Sequence, residues 1–201
     1  TVNIAAVVLT FVSSTCDAGE ASVLSAVQLL WVNLIMDTLA ALATERPTPD
    51  LLNRPPEPRS APLVSRTMCK FIAGQALLQV AVNLSLLFYG PYLFGFDDEI
   101  VAVQKATMRT IVFTSFVFMQ VFNQINCRRI DNGLNPFKGM FQNPAFVTIT
   151  AFIVVTQILL VTYGGAVFGT EPLTVTEWLV SVLIGLLAIP WGTIIRLLPL
   201  E

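Results

Sequence analysis

The sequence predicts an all-α fold, a polytopic membrane bundle of about six transmembrane helices with the first one truncated. Three observations lead there. Hydrophobic residues make up 55% of the chain and charged residues 12%, with a mean hydropathy of +0.74, far from the balance of soluble domains. Six apolar segments recur along residues 1–201, and none alternates as a barrel strand would, so each must satisfy its own backbone as a helix. The connections between them alternate in charge, as the two sides of a membrane require.

The first segment, Thr1–Cys16, is about 15 residues long, short of the roughly 20 that cross ~30 Å of hydrocarbon. It opens without an initiator methionine or a charged leader, so the sequence reads as cut from a longer protein inside a helix. Asp17 and Glu20 lie in the turn to the second segment, Val23–Ala43. The connection Glu45–Ser65 carries Arg46, Arg54 and Arg59 and holds six of the twelve prolines, and Arg66 follows it. So many fixed φ angles make an extended cytoplasmic strap, read either as a docking element for a cytoplasmic domain or as a semi-rigid linker.

The third segment, Lys70–Phe88, ends at Tyr89 and Tyr92, residues suited to an interface, and Asp97, Asp98 and Glu99 follow. The fourth, Thr110–Ile125, leads to Arg128, Arg129 and Lys138; the fifth, Ala145–Tyr163, leads to Gly164-Gly165, Glu171 and Glu177. The last, Trp178–Ile195, is bracketed by Trp178 and Trp191 as interfacial anchors, carries Pro190 as a kink and precedes Arg196. Basic connections face the cytoplasm, so the first segment runs outward and the C-terminus is cytoplasmic, with Lys105 and Arg109 as two exceptions. Cys16, Cys69 and Cys127 have no C-x-x-C spacing and fall on different sides, which predicts no disulfide and no thiolate metal site.

The chemistry concentrates in the second segment. Asn33 and Asp37 stand at i and i+4 in the run from Gln28 to Ala43, on one face and about 6 Å apart along the axis at ~1.5 Å rise per residue. A charge at bilayer depth costs ~2.5–3.5 kcal/mol on insertion scales, so Asp37 needs a partner. With no histidine in the chain, the natural partner of this carboxylate and amide is a hard cation. The structural alternative is a protonated Asp37 acting as interhelical glue. Asn3 lies about as far before the first turn as Asn33 lies after it, so the two fall at similar depth. Calcium takes six to eight oxygens at roughly 2.3–2.6 Å, whereas Asn3, Asn33 and Asp37 supply three or four; the remainder must come from helices outside the sequence.

Two neutral stripes are read as packing: Gln75, Gln79 and Asn83 on the third segment, and Gln120, Asn123 and Gln124 on the fourth, with Gln120 the deepest and a neighbour of any ion path. There is no phosphate loop, nucleophile–base pair or H-E-x-x-H, so no catalytic residue is expected within 1–201, and no nucleic-acid partner.

The stretch Ala26-Val-Gln-Leu-Leu-Trp-Val-Asn-Leu-Ile-Met-Asp-Thr-Leu-Ala40 resembles the sixth transmembrane helix of P-type calcium-transporting ATPases of the plasma-membrane, calmodulin-stimulated type. Thr1-Val-Asn-Ile-Ala-Ala, Leu63-Val-Ser-Arg-Thr-Met, Phe118-Met-Gln-Val-Phe-Asn-Gln-Ile-Asn, Arg128-Arg-Ile and Phe141-Gln-Asn-Pro extend the likeness from the outer half of the fifth helix through the tenth. The resemblance implies that residues 1–201 form the C-terminal transmembrane domain of an ATP-driven pump moving Ca²⁺ out of the cytosol, with its ATP- and Mg²⁺-using domains upstream. It implies that Asn33 and Asp37 are metal ligands of one calcium site completed by a missing helix, and it leaves Asn3 as a weaker candidate. Reticulum-type members have a glutamate where this chain has Ala6, a threonine where it has Met36 and a glutamate where it has Gln120, so one Ca²⁺ per cycle is expected. Plasma membrane and vacuolar membrane both fit, as does Mn²⁺ beside Ca²⁺. A calmodulin-binding segment, if present, lies outside this sequence. The rival reading is part of a secondary cation exchanger or channel with Asp37 as coupling acid.

Overall fold

The computed structural model describes residues 1–16, 23–34, 64–95, 101–127 and 143–197, and every regular element among them is helical. In chain order these are α1 (Val2–Cys16), α2 (Ala26–Asn33), α3 (Arg66–Phe94), α4 (Val101–Cys127), α5 (Pro144–Tyr163), the short α6 (Gly165–Phe168), α7 (Val175–Leu186) and α8 (Ala188–Leu197). The molecule is a membrane helical bundle. By length and composition Arg66–Phe94, Pro144–Tyr163 and the α7–α8 pair, Val175–Leu197, can each cross a bilayer. The Pro-rich connection expected at 45–65 lies, but for Val64 and Ser65, outside the described residues.

The helix starts follow from side-chain caps. Ser25 and Gln28 form a reciprocal capping box at α2, and Thr174 and Glu177 form another at α7. Ser65 accepts from the Met68 N–H at 3.2 Å to start α3, a turn before the expected Lys70. Asn143 caps α5 by accepting from the Phe146 N–H, with Pro144 in the first turn where its missing N–H costs nothing. Helix α3 ends at Gly95, whose φ of 64° is a left-handed stop, beyond the expected Phe88.

Helix α4 is the centre of the bundle. Every residue from Thr110 to Val121 is buried, and α3, α7 and α8 pack around it. Its polar content, which keeps it out of the most apolar spans, is therefore turned inward to neighbours rather than to lipid. Phe113, Phe116, Ile111 and Met119 form the middle of the core with Leu9, Leu24 and Ile153. Two glycines let α7 and α8 approach α4 closely. A Cβ on Gly185 would lie 2.6 Å from the Phe118 Cβ, and one on Gly192 would lie 2.5 Å from the Asn126 amide nitrogen.

The last apolar segment is broken at Leu187 rather than continuous. Pro190 has no N–H to give the Leu186 carbonyl, which accounts for the break. The Ala188 carbonyl beside it accepts from Asn126 Nδ2 at 2.7 Å and Gln75 Nε2 at 3.1 Å. Trp191, expected at the interface, instead donates through Nε1 to the Gly74 carbonyl at 2.9 Å, and Trp178 meets Phe118 edge-on. Arg196 belongs to the last turn of α8 and does not follow it: its Nη2 donates to the Asn126 carbonyl at 2.8 Å and its guanidinium covers Phe71. That cation sits at the carboxyl end of α4, where the helix dipole favours it.

Candidate metal site

Helices α1 and α2 are neighbours in contact, and the Val23 N–H just before α2 reaches Ser13 Oγ near the end of α1. Asn33 is the last residue of α2 and is half-buried, while the Leu34 N–H after it continues the helical bonding to Leu30 and Trp31. Asp37 lies outside the described residues, as does Met36. Asn3 lies on the exposed face of α1 with Val7 and Phe11, whereas Ala5, Ala6 and Leu9 form the packed face. The structure thus brings together the two helices that carry Asn3 and Asn33 and leaves Asn3 pointing outward from this bundle.

Gln120 is buried in the seam between α3 and α4, where its Nε2 donates to Gln79 Oε1 at 2.8 Å. Asn83 Nδ2 donates to the Gln79 carbonyl at 2.7 Å and touches Met119 Sδ at 3.5 Å. The two stripes expected to be packing are joined to each other by this bond. Such interhelical bonds contribute about 1 kcal/mol each. Arg196 is the one charged side chain buried among the described residues, and no group of three His, Cys, Asp or Glu gathers there. Cys69 and Cys127 are free thiols.

Three residues that support α2 escaped the sequence reading. Gln28 is 2% exposed and its amide works at both ends: Oε1 accepts from the Ser25 N–H at 2.9 Å, and Nε2 donates to the Phe168 carbonyl at 3.0 Å. Trp31 packs edge-on against Phe168, with ring centroids 6.4 Å apart, and its Nε1 makes a long 3.4 Å bond to Gln157 Oε1 on α5. Gln157 is itself buried in an otherwise apolar helix. The one legible signal was a lone glutamine in each of two apolar runs, since a buried amide needs a partner.

A bundle of apolar helices, three of its spans long enough to cross a bilayer and its buried amides turned to one another, defines an integral membrane protein. The chain belongs to the family described as cation transporting ATPase, C-terminus, whose match covers residues 21–198. It is 45% identical to the Schizosaccharomyces pombe protein named calcium-transporting ATPase 2 over 201 residues, which is 99% of this chain and 15% of that protein. Identity is 45% to Calcium-transporting ATPase PAT1 of Dictyostelium discoideum, over 90% of this chain and 17% of that protein. To the human plasma membrane calcium-transporting ATPase 1 it is 46%, over 99% of this chain and 17% of that protein. The chain therefore spans about a sixth of the length of these relatives.

Proposed function

We propose that residues 1–201 are the C-terminal transmembrane domain, and the ion-binding part, of an ATP-driven pump that exports Ca²⁺ from the cytosol, one ion per cycle. The observation that carries this reading is the near-complete alignment, at about 45% identity, with proteins named calcium-transporting ATPases, together with the i, i+4 pair Asn33 and Asp37 in the apolar segment Val23–Ala43 of the sequence. Asn33 and Asp37 are the proposed metal ligands, Asn3 a further one, and oxygens from helices outside this chain complete the coordination. ATP and Mg²⁺ act in cytoplasmic domains outside residues 1–201.

The stoichiometry rests on two neutral positions. Ala6 is 5% exposed and packs in the apolar core, and Gln120 is engaged with Gln79. Neither offers a carboxylate to neutralise a second divalent ion, and an unneutralised divalent charge at low dielectric is costly. Charge asymmetry of the connections supports a cytoplasmic C-terminus, in the plasma or vacuolar membrane.

The test is ATP-dependent radiocalcium uptake by the intact protein in sealed vesicles, wild type against Asp37→Asn. Loss of uptake at normal membrane content is the expected result. Undiminished uptake in the variant would remove Asp37 from the site, and wild-type uptake that follows a proton gradient without ATP would reject the pump.

A further inference from the structure

We infer that the segment Gly164–Pro172 is a clamp that fixes the rotation of α2 and so tunes the affinity of the ion site, with Gln28, Trp31 and Phe168 as positioning residues. The inference deepens the calcium reading above and rests on it.

The segment is itself anchored. Thr170 is 2% exposed and its Oγ1 donates to the Leu160 carbonyl of α5 at 3.3 Å; the Glu171 N–H donates to Thr110 Oγ1 of α4 at 3.0 Å. Between these ties and the end of α5, the chain makes the single turn α6 and stops it at Gly169, where φ is 63° and a side chain would be strained. The product is a rigid corner that presents the Phe168 carbonyl and ring to α2.

Helix α2 meets that corner on one face only. At ~100° per residue, Gln28 and Trp31 lie about 60° apart, while Asn33 lies about 200° from Trp31, on the opposite side. The clamp therefore grips the back of the helix and leaves the liganding face free of it. Because the Gln28 amide also completes the capping box, the first turn of α2 and its contact with Phe168 are fixed by one side chain. A helix rotated or lifted by a fraction of an ångström misplaces its oxygens, and cation affinity falls with that misplacement more than the rate of the loaded pump does.

The experiment measures the Ca²⁺ concentration for half-maximal ATP-dependent uptake and the maximal rate separately, in the intact protein at equal membrane content. Gln28→Glu keeps the cap acceptor and removes the donor to Phe168. Phe168→Leu keeps apolar bulk and removes the ring. Each is expected to raise the half-saturating concentration about 3- to 10-fold with the maximal rate retained at saturating Ca²⁺. Their combination is expected to do little more than the stronger one alone, because both release the same contact.

An unchanged half-saturating concentration in both variants, or a lowered maximal rate at unchanged affinity, overturns the clamp. So does loss of both variants from the membrane, since a tuning contact must leave a folded protein. Asn33→Ala separates the two levels. If it weakens Ca²⁺ affinity while the clamp variants do not, the clamp alone fails; if Asn33→Ala also leaves affinity unchanged, the calcium site on α2 fails with it.

Discussion

Gly192→Ala is the substitution whose effect the structure determines most fully. Helix α8 crosses α4 at this glycine so closely that an added Cβ would meet three atoms of the Asn126 side chain, at 2.5, 2.6 and 2.8 Å. Asn126 is 2% exposed and cannot swing into lipid or water; to yield, it must give up its 2.7 Å bond to the Ala188 carbonyl. Overpacking of this kind costs about 1–3 kcal/mol, and the interhelical bond about 1 more. The sum is roughly 2–4 kcal/mol. At ~2–4 °C per kcal/mol for a unit of about 200 residues, the midpoint of thermal unfolding in detergent should fall by roughly 4–16 °C. The cause is tested by a second substitution. Asn126→Ala by itself loses the bond, but in the Gly192→Ala background it also removes the clash, so the double variant should be more stable than Gly192→Ala alone. A neutral Gly192→Ala, or a double variant whose losses simply add, would refute the reasoning.

Other consequences can be checked in the same preparations. Gln120→Leu should cost about 1 kcal/mol by leaving Gln79 Oε1 unpaired, with half-saturating Ca²⁺ unchanged; a weakened Ca²⁺ affinity would make Gln120 part of the ion path. Arg196→Gln should destabilise by about 1.5–3 kcal/mol, the range for a hydrogen bond from a charged group, as read by thermal unfolding, and Arg196→Lys should recover only part of it because an ammonium lacks the planar fork that covers Phe71. In a variant with Cys16 and Cys127 changed to serine, exposed Cys69 should react with a membrane-impermeant maleimide from the cytoplasmic side only; labelling from the outer side would invert the orientation.

Much of the fold was legible because membranes impose simple rules. Length and hydropathy mark α3, α5 and the α7–α8 pair, and Gly164 and Pro190 sit at the end and the break they suggested. Boundaries moved outward where a cap decided them, as Ser65 did for α3. The role of α4 was less visible. Its polar residues suggested a stripe, but hydropathy says nothing of how many neighbours a helix has, and burial all round emerges only from packing. Trp178, Trp191 and Arg196 illustrate the same limit: the two tryptophans read as interfacial anchors and Arg196 as following the last helix, whereas Trp191 bonds α3, Arg196 bonds α4 from the last turn of α8, and Trp178 packs on Phe118 of α4.

The candidate site was legible in its ligand types and not in its supports. Asn33 and Asp37 stand out because polar groups in an apolar run are costly. Gln28 and Trp31 did not, because an amide and an aromatic ring near a membrane surface have many ordinary uses. Their partner, Phe168, is 140 residues away from Gln28, and no local pattern connects them. Asn3 shows the converse. Counting residues from the turn gives depth along α1, but the face on which it emerges is set by which side packs, and Ala5, Ala6 and Leu9 take that side.

The central claim is one calcium site to which Asn33 and Asp37 contribute ligands. Equilibrium radiocalcium binding to the intact protein, counted per molecule in wild type and in Asp37→Asn, tests it most directly. One high-affinity ion in the wild type and none in the variant is the predicted result; two ions in the wild type, or one retained by Asp37→Asn, would contradict it.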